Sequence, residues 1–229
     1  MPLSIVIPVL NEAAGIGPAL ERLDVLRRRG AEVIVVDGGS RDDTPMLAAP
    51  HCDRVIAAPR GRAVQMNAGA AAAAGDVLLF LHADTRLPEI ADRLIVDGLR
   101  DRTHVWGRFD VRIEGPPTLA VVALMMNWRS RITGIATGDQ AIFVTRAAFE
   151  RVGRFPPIAL MEDIALSARL RALSRPLCLA SRAVTSGRRW RQHGILRTIL
   201  LMWRLRIAYW RGADPNELAR RYGYAPTDR

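Results

Sequence analysis

The sequence predicts an α/β fold, a mostly parallel sheet flanked by helices, with a helical segment appended at the C-terminus. Three observations carry this. Apolar runs of strand length alternate with longer stretches of helical periodicity through the first hundred residues. Two of those runs, residues 3–9 and 77–81, are apolar or β-branched almost throughout, as in strands buried on both faces. Three of them end in short polar loops holding Asn, Asp or His, where such sheets bind ligands. With 229 residues and 49% hydrophobic content, the chain can fill one such core.

Taken in order, residues 3–9 are the first strand, closed by Pro8 and followed by the polar pair Asn11-Glu12. Residues 14–29 are helical, with Leu20, Leu23 and Leu26 on one stripe. Strands follow at 32–36 and 54–57, then an Ala-rich helix over 62–74 ended by Gly75, a buried strand at 77–81, and a helix over 90–100. The second half is less regular: strands at 106–113 and 140–145, helices at 118–131 and 162–173, and a separate apolar, Arg-bearing helix at 195–210. This suggests one catalytic domain over residues 1–193 and a helical segment over 194–229.

Composition narrows the class. Cys52 and Cys178 make neither a disulfide framework nor a CxxC motif, which fits a reduced, cytoplasmic protein. The opening MPLSIVIPVLNE lacks a basic leader, and no run reaches the roughly 18 apolar residues of a spanning helix, so a soluble or peripheral chain is expected. The net charge is +10, and every one of the 33 basic residues is Arg. Codon bias produces such usage, and the arginines are spread along the chain. With no zinc spacing or aromatic RNP-like strand, nucleic acid is not the expected partner.

Chemistry concentrates at strand ends. The loop Asp37-Gly38-Gly39-Ser40 offers an acid for a base or ribose and glycines that admit close approach. Asp43 or Thr44 also suits the cap of a helix starting at Pro45, and Asp37, lying before that cap, is compatible with both readings. His82-Ala83-Asp84 places a carboxylate in the same crevice, where oxygen ligands suit Mg²⁺ or Mn²⁺ and His82, if it ligates, favours Mn²⁺. Asp139 and Gln140 precede a strand, and Glu162-Asp163 opens a helix, where acids also serve as dipole partners. A dinucleotide-binding fingerprint fails, because Gly15-Ile16-Gly17 is followed by Leu20 where glycine is needed. A haloacid-type phosphatase would need an aspartate where His82 stands, and a nucleotidyltransferase a Gly-rich basic first loop in place of Asn-Glu-Ala-Ala.

The ordered series Pro8-Val9-Leu10-Asn11-Glu12, Asp37-Gly38-Gly39-Ser40, His82-Ala83-Asp84, Gly138-Asp139-Gln140 and Glu162-Asp163 resembles the family 2 glycosyltransferases of GT-A fold. It is most similar to the small bacterial branch found near radical-SAM genes. Ser186-Gly187-Arg188-Arg189-Trp190 resembles that family's Arg-Trp region near the donor phosphates. The resemblance implies that Pro8, Asn11, Glu12, Asp37 and Arg62 contact the nucleoside, and that Arg188 and Arg189 lie by the phosphates. By the same likeness Asp84 holds a divalent metal, Asp163 is the catalytic base, and Asp139, Gln140, Glu162 and Trp190 shape the sugar and acceptor pocket. Two departures stand out: Gly38 replaces the second acid of a family pair, and His82 replaces the first acid of the DXD motif. Two alternatives stay: a catalytically weak nucleotide-sugar binder, raised by these departures, and a basic protein that binds nucleic acid or a membrane surface, raised by the +10 charge. A nucleoside-diphosphate sugar, UDP-linked by family habit, is the implied donor, and the acceptor is unidentified. For the 195–210 helix, packing on the domain, on a second copy in a homodimer, or on an anionic membrane bearing a lipid-linked acceptor all stay open.

Overall fold

The computed structural model describes residues 1–224; residues 225–229, the end of the expected 194–229 segment, lie outside the described residues. The chain runs β1 (Leu3–Val9), α1 (Ala13–Glu21), α2 (Asp24–Arg28), β2 (Glu32–Asp37), α3 (Thr44–Ala48), β3 (Arg54–Ala57), α4 (Arg62–Ala72) and β4 (Val77–Phe80). It continues with β5 (Thr85–Arg86), α5 (Ala91–Leu99), β6 (Trp106–Ile113), α6 (Thr118–Thr133), β7 (Phe143–Thr145), α7 (Arg146–Arg151) and α8 (Glu162–Arg171). It closes with β8 (Leu177–Thr185), α9 (Arg188–His193), α10 (Ile195–Trp210) and α11 (Pro215–Tyr222).

The strands form one sheet in the order β3-β2-β1-β4-β7-β6-β8-β5. β1 pairs in parallel with β2 and β4, and β2 with β3, while β7 joins antiparallel between β4 and β6. The alternation of β1 splits the core into two layers. Ile5, Ile7 and Val9 pack with Ile16, Leu20 and Ile95 from α1 and α5, while Val6 faces Met66 and Ala70 of α4. Gly69 lets α4 lie flat on the sheet, since a Cβ there would fall 2.3 Å from Val6 Cγ1. Arg146 caps the far end of α4 by donating to the carbonyls of Ala70, Ala73 and Gly75, which have no helical partners.

Several expected boundaries change. The expected helix over 14–29 is two helices, broken around Arg22–Leu23, with Pro18 inside the first. Pro8 does not end β1: it pairs with Val36 inside the strand. The β1–β4 ladder has stopped by Val6 opposite Phe80, so Pro8 sits where its missing N–H is tolerated. The expected strand at 140–145 begins only at Phe143, because residues 138–140 form a 3₁₀ turn closed by reciprocal Thr137 and Gln140 side-chain bonds. β8 carries no clean alternation: on its β5 side only Val184 and Thr185 are paired, and a bulge lies opposite Phe109 and Asp110.

The C-terminal helices lie against the entrance of α8. Leu205 of α10 and Leu218 and Ala219 of α11 share an apolar cluster with Leu160, Met161 and Ile164. No helix among the described residues is long and apolar enough to cross a membrane.

Candidate active site

The carboxyl ends of β1 and β2 are knitted together by their own polar side chains. The Asn11 amide donates to Ser40 Oγ, and the Arg41 amide donates back to Asn11 Oδ1 at 2.8 Å. The Glu12 and Ala13 amides donate to Thr44 Oγ1 and Asp42 Oδ2. Asp37 Oδ2 accepts from the Gly39 and Ser40 amides at 3.0 Å, and its other oxygen accepts from the Ser40 hydroxyl. That carboxylate therefore rigidifies the turn, with Gly39 at φ +87°. Beneath it, buried Gln65 donates from Nε2 to the Val9 and Val36 carbonyls. A side chain at position 38 would meet Gln65 at 2.9 Å, so glutamine fills the space beside Gly38.

Next to this turn stand Glu12, Asp84 and Arg188. The two-residue β5–β8 pairing and the Ser186 amide on the Asp84 carbonyl hold the Asp84 loop beside Ser186-Gly187-Arg188. Gly187 is required there, because a Cβ would fall 1.8 Å from the Glu114 carbonyl oxygen. Arg188 Nη2 lies 3.9 Å from Glu12 Oε1. Burial pushes the Glu12 carboxyl up from its ordinary value; Arg188 opposes this, and the Asp84 and Asp42 charges add to it. Two like charges, Glu12 and Asp84, thus face one cleft with one flexible arginine.

A second cluster adjoins through His82, two residues before Asp84. His82 Nδ1 is 3.5 Å from Asp139 Oδ1, and its ring lies against Gly138, where a Cβ would be 2.4 Å away. Burial alone would raise the Asp139 carboxyl, but His82, Arg62 and Arg206 together hold it below its ordinary value. Asp163 Oδ2 accepts from the Gly138 amide at 2.9 Å and its Oδ1 from the Ile164 amide at 2.7 Å. Glu162, buried beside it, pairs with Arg62 Nη1 at 3.3 Å. Burial raises the Glu162 carboxyl, Arg62 opposes this, and Asp163 reinforces it. His82, Gly138, Glu162 and Asp163 line a cavity of about 10 Å³ with Met66 and Phe80, room for about one water. Ala141 and Met161, next in the chain to Gln140 and Glu162, and Asn11, beside Glu12 at the other cluster, take positive φ of 47°, 72° and 54°. Non-glycine residues in that region are uncommon, and such strain clusters where a site demands it.

The structure therefore brings Glu12, Asp84 and Arg188 together, and His82, Asp139, Glu162, Asp163 and Arg62 together. Other expected site residues are spent elsewhere. Gln140 is fully buried, its side chain bonded to the Thr137 amide and Asn127, so it builds the Gly138-Asp139 turn. Arg189 donates to the Tyr222 carbonyl and stacks 3.5 Å from that ring, tying α9 to α11. Trp190 packs with Val122 and Met126 against the Val111, Ile113, Leu119 and Ala123 cluster. Three residues absent from the sequence-derived set stand at the site: Gln65, and Arg129 and Arg206, whose charges act on Asp163 or Asp139. Only the 3.6-residue phase of α4, α6 and α10 could have hinted at them.

For a divalent cation, the donor chemistry fits in part. Among the described residues no group of three or more His, Cys, Asp or Glu could hold a metal. His82 faces Asp139. Asp84 is left with Glu12 nearby, a donor set that suits an ion carried in by phosphate oxygens.

Solved structures share this fold. S. aureus TarS residues 1–349, in complex with UDP-GlcNAc, superposes with a TM-score of 0.66 at 18% identity, over 81% of this chain and 58% of its own. The mannosyltransferase PcManGT from Pyrobaculum calidifontis, in complex with GDP-Man and Mn²⁺, gives 0.65 at 22% identity, covering 90% and 60%. Glucosyl-3-phosphoglycerate synthase from Mycobacterium tuberculosis, with Mn²⁺, UDP and glucosyl-3-phosphoglycerate, gives 0.65 at 20%, covering 99% and 81%. The chain spans about three fifths of the length of the first two. These likenesses give the mostly parallel sheet its GT-A architecture. No curated protein matches the sequence. The model of "Glycosyl transferase family 2" matches residues 4–151, from β1 through α7, and with it the strand-end loops described above. The chain belongs to glycosyl transferase family 2.

Proposed function

We propose that the chain is an inverting glycosyltransferase that moves a sugar from a nucleoside-diphosphate sugar to an acceptor hydroxyl. Within its family we assign it to the small bacterial branch near radical-SAM genes, and to the cytoplasm. One observation carries the reading: the single His82-Ala83-Asp84 turn joins a donor cluster of Glu12, Asp84 and Arg188 to an acceptor cluster of Asp139, Glu162 and Asp163. Pro8, Asn11, Glu12 and Asp37 frame the nucleoside, UDP being favoured, and Arg188 meets the diphosphate charge; Arg62, which the family likeness put at the nucleoside, pairs with Glu162 and belongs to the acceptor end. Asp84 would hold Mn²⁺ or Mg²⁺ together with the diphosphate oxygens, and the ion, when bound, supplies charge that offsets the leaving group's. The UDP-GlcNAc, GDP-Man and UDP in the TarS, PcManGT and M. tuberculosis complexes support a nucleoside-diphosphate donor, and the Mn²⁺ in the latter two supports this metal.

Asp163, its orientation fixed by two backbone amides, takes the acceptor hydroxyl's proton. The acceptor oxygen bonds to the anomeric carbon, and the bond from that carbon to the phosphate oxygen breaks, its electron pair leaving with the nucleoside diphosphate. One base and no enzyme nucleophile give inversion. A thermal-shift panel of nucleoside diphosphates, with and without Mn²⁺, tests the reading. Ligand at a hundred times its Kd should add about 2.7 kcal/mol by mass action. Asp84→Ala should lose the metal-dependent part. No nucleotide raising Tm under either condition overturns the proposal.

A specific surface favours peripheral contact with an anionic bilayer and a lipid-linked acceptor. Of fourteen exposed large hydrophobic residues, five lie on α6 (Val121, Leu124, Met125, Trp128, Ile132) and five on α10 (Leu196, Leu200, Trp203, Ile207, Trp210). Each set keeps helical spacing, so each is one unpartnered stripe. Residues 164–213 hold eleven Arg and neither Asp nor Glu, and α6 is likewise free of acids. A two-fold contact of this face with itself would oppose like charges, whereas anionic headgroups complement it. Flotation with phosphatidylglycerol vesicles should carry the full chain, and Trp203→Glu with Trp128→Glu should abolish it. Equal flotation of that double variant, or its conversion of a dimer to a monomer, refutes the bilayer as occupant.

A further inference from the structure

The acceptor end of the cleft holds buried guanidinium donors that its carboxylates do not hydrogen-bond. Arg129 of α6 has Nε and Nη2 buried and, among the described residues, without any hydrogen-bond acceptor. Burial pushes this guanidinium down to about 10, and the neighbouring Arg206 of α10 adds to the push, while Asp163 works against both. Burial likewise lowers Arg206, with Asp163 and Asp139 opposing. The nearby carboxylates are committed elsewhere. Asp139 faces His82, Glu162 pairs with Arg62, and both Asp163 oxygens accept backbone amides. Leaving buried guanidinium donors unpaired is costly, so a fold retains them where a ligand completes them. Arg108, also fully buried on this side, makes the contrast: Ser130, Asp110 and the Asn127 carbonyl saturate it.

We propose that Arg129 and Arg206 form a binding site for an anionic group, phosphate or carboxylate, on the acceptor molecule. This rests on the glycosyltransferase reading above. A planar guanidinium with two free N–H groups matches such an anion as a fork. The donor diphosphate is the other source of that chemistry. Location argues against it: the charges that act on Arg129 and Arg206 are those of Asp163, Asp139 and Arg108, while Glu12, Asp84 and Arg188 at the donor end are coupled to one another. When Asp163 takes the acceptor proton its charge is lost; Asp139 still acts on Arg206, while Arg129 is then answered by the acceptor's anion alone. An acceptor carrying that anion close to its nucleophilic hydroxyl is therefore held most firmly during transfer.

The test uses the full chain saturated with UDP and Mn²⁺, titrated calorimetrically with inorganic phosphate, glycerol 3-phosphate and glycerol. The two anions should bind saturably and glycerol should not. Arg129→Met and Arg206→Met should each weaken anion binding at least tenfold and leave UDP affinity unchanged; the exposed control Arg100→Met should alter neither. Arg129→Lys, which keeps the charge and loses the fork, should fall between. Free Arg129→Met protein should melt no lower than wild type, since an unpaired buried charge has been removed. Undiminished anion binding in both Met variants overturns the proposal. So does a parallel loss of UDP affinity, which would assign the arginines to the donor diphosphate, or a lowered Tm, which would make Arg129 a structural ion. If wild type binds no UDP, the donor reading fails, and the phosphate titration of the free protein judges the arginine site by itself.

Discussion

The two ends of the cleft are built in opposite ways. At the donor end, Asn11, Asp37, Ser40, Asp42 and Thr44 satisfy one another across two adjacent loops, so the surface is stiff before any ligand arrives. At the acceptor end, Arg62, Arg129, Asp139, Glu162, Asp163 and Arg206 come from α4, α6, the 138–140 turn, α8 and α10, and parts of them stay unpaired. Local satisfaction makes a shape that many nucleotides share, whereas unanswered buried charge makes a site that demands a particular partner. Asp163→Asn separates the two ends most sharply. It should lower the transfer rate by about 10²–10⁴-fold while leaving nucleoside-diphosphate affinity at the wild-type value. Single-turnover kinetics with a titrated donor reads both quantities, and a variant that turns over normally removes Asp163 from the role of base.

The next largest effect concerns the one ion pair that crosses between α4 and α8. Glu162 is buried, and its only guanidinium partner among the described residues, Arg62, has a side chain 37% exposed. Breaking a fully buried pair costs about 3–5 kcal/mol; solvent at Arg62 cuts this to roughly 2 kcal/mol for Arg62→Met. The sign of its pH dependence follows from Glu162, whose carboxyl burial raises in the fold and which Arg62 holds down. Without Arg62 the folded value rises further above the unfolded one. The native state then binds the extra proton, so stability is retained at acid pH below the unfolded value and lost as pH climbs toward the folded one. Urea melts of Arg62→Met should therefore match wild type near pH 4 and fall short at pH 8, and Glu162→Gln in the same chain should restore most of the deficit. A deficit that is flat with pH would mean that Arg62 acts through packing alone.

The same contrast explains what was legible in the sequence. Strands β1, β2 and β4 match the expected segments to within one residue because strands buried on both faces announce themselves as apolar or β-branched runs, and their terminal loops carry Asn11, Glu12, Asp37 and Asp84 in plain order. The donor end is local, and local patterns survive in one dimension. Arg129 and Arg206 could not be seen that way. On α6 and α10 they are single arginines among others, and only the folded chain brings these two positions, 77 residues apart in sequence, to a shared neighbour in Asp163. Gln140 misled for the opposite reason: a polar residue beside Asp139 reads as a site residue until a 3₁₀ turn is seen to consume its amide. Gln65 was hidden inside an Ala-rich helix whose apolar face it interrupts.

The smallest effect probes that glutamine and the departure at Gly38. The family's second acid has no room here, since any Cβ at position 38 lies 2.9 Å from Gln65 Cδ and Oε1. Gln65 cannot swing aside freely, because Nε2 is bonded to the ends of both β1 and β2. Gly38→Ala should therefore cost about 1–2 kcal/mol, by overpacking or by the loss of one of those bonds. In a Gln65→Ala background the same substitution should cost less than its single value, the coupling that two residues sharing one space produce. The double variant Gly38→Asp with Gln65→Ala then restores an acid beside Asp37. If the glutamine stands in for that acid only as a filler of space, this variant binds UDP at least as well as wild type. If binding falls, the Gln65 amide itself contributes to how the nucleoside is held, and the donor end is less generic than its self-satisfied loops suggest.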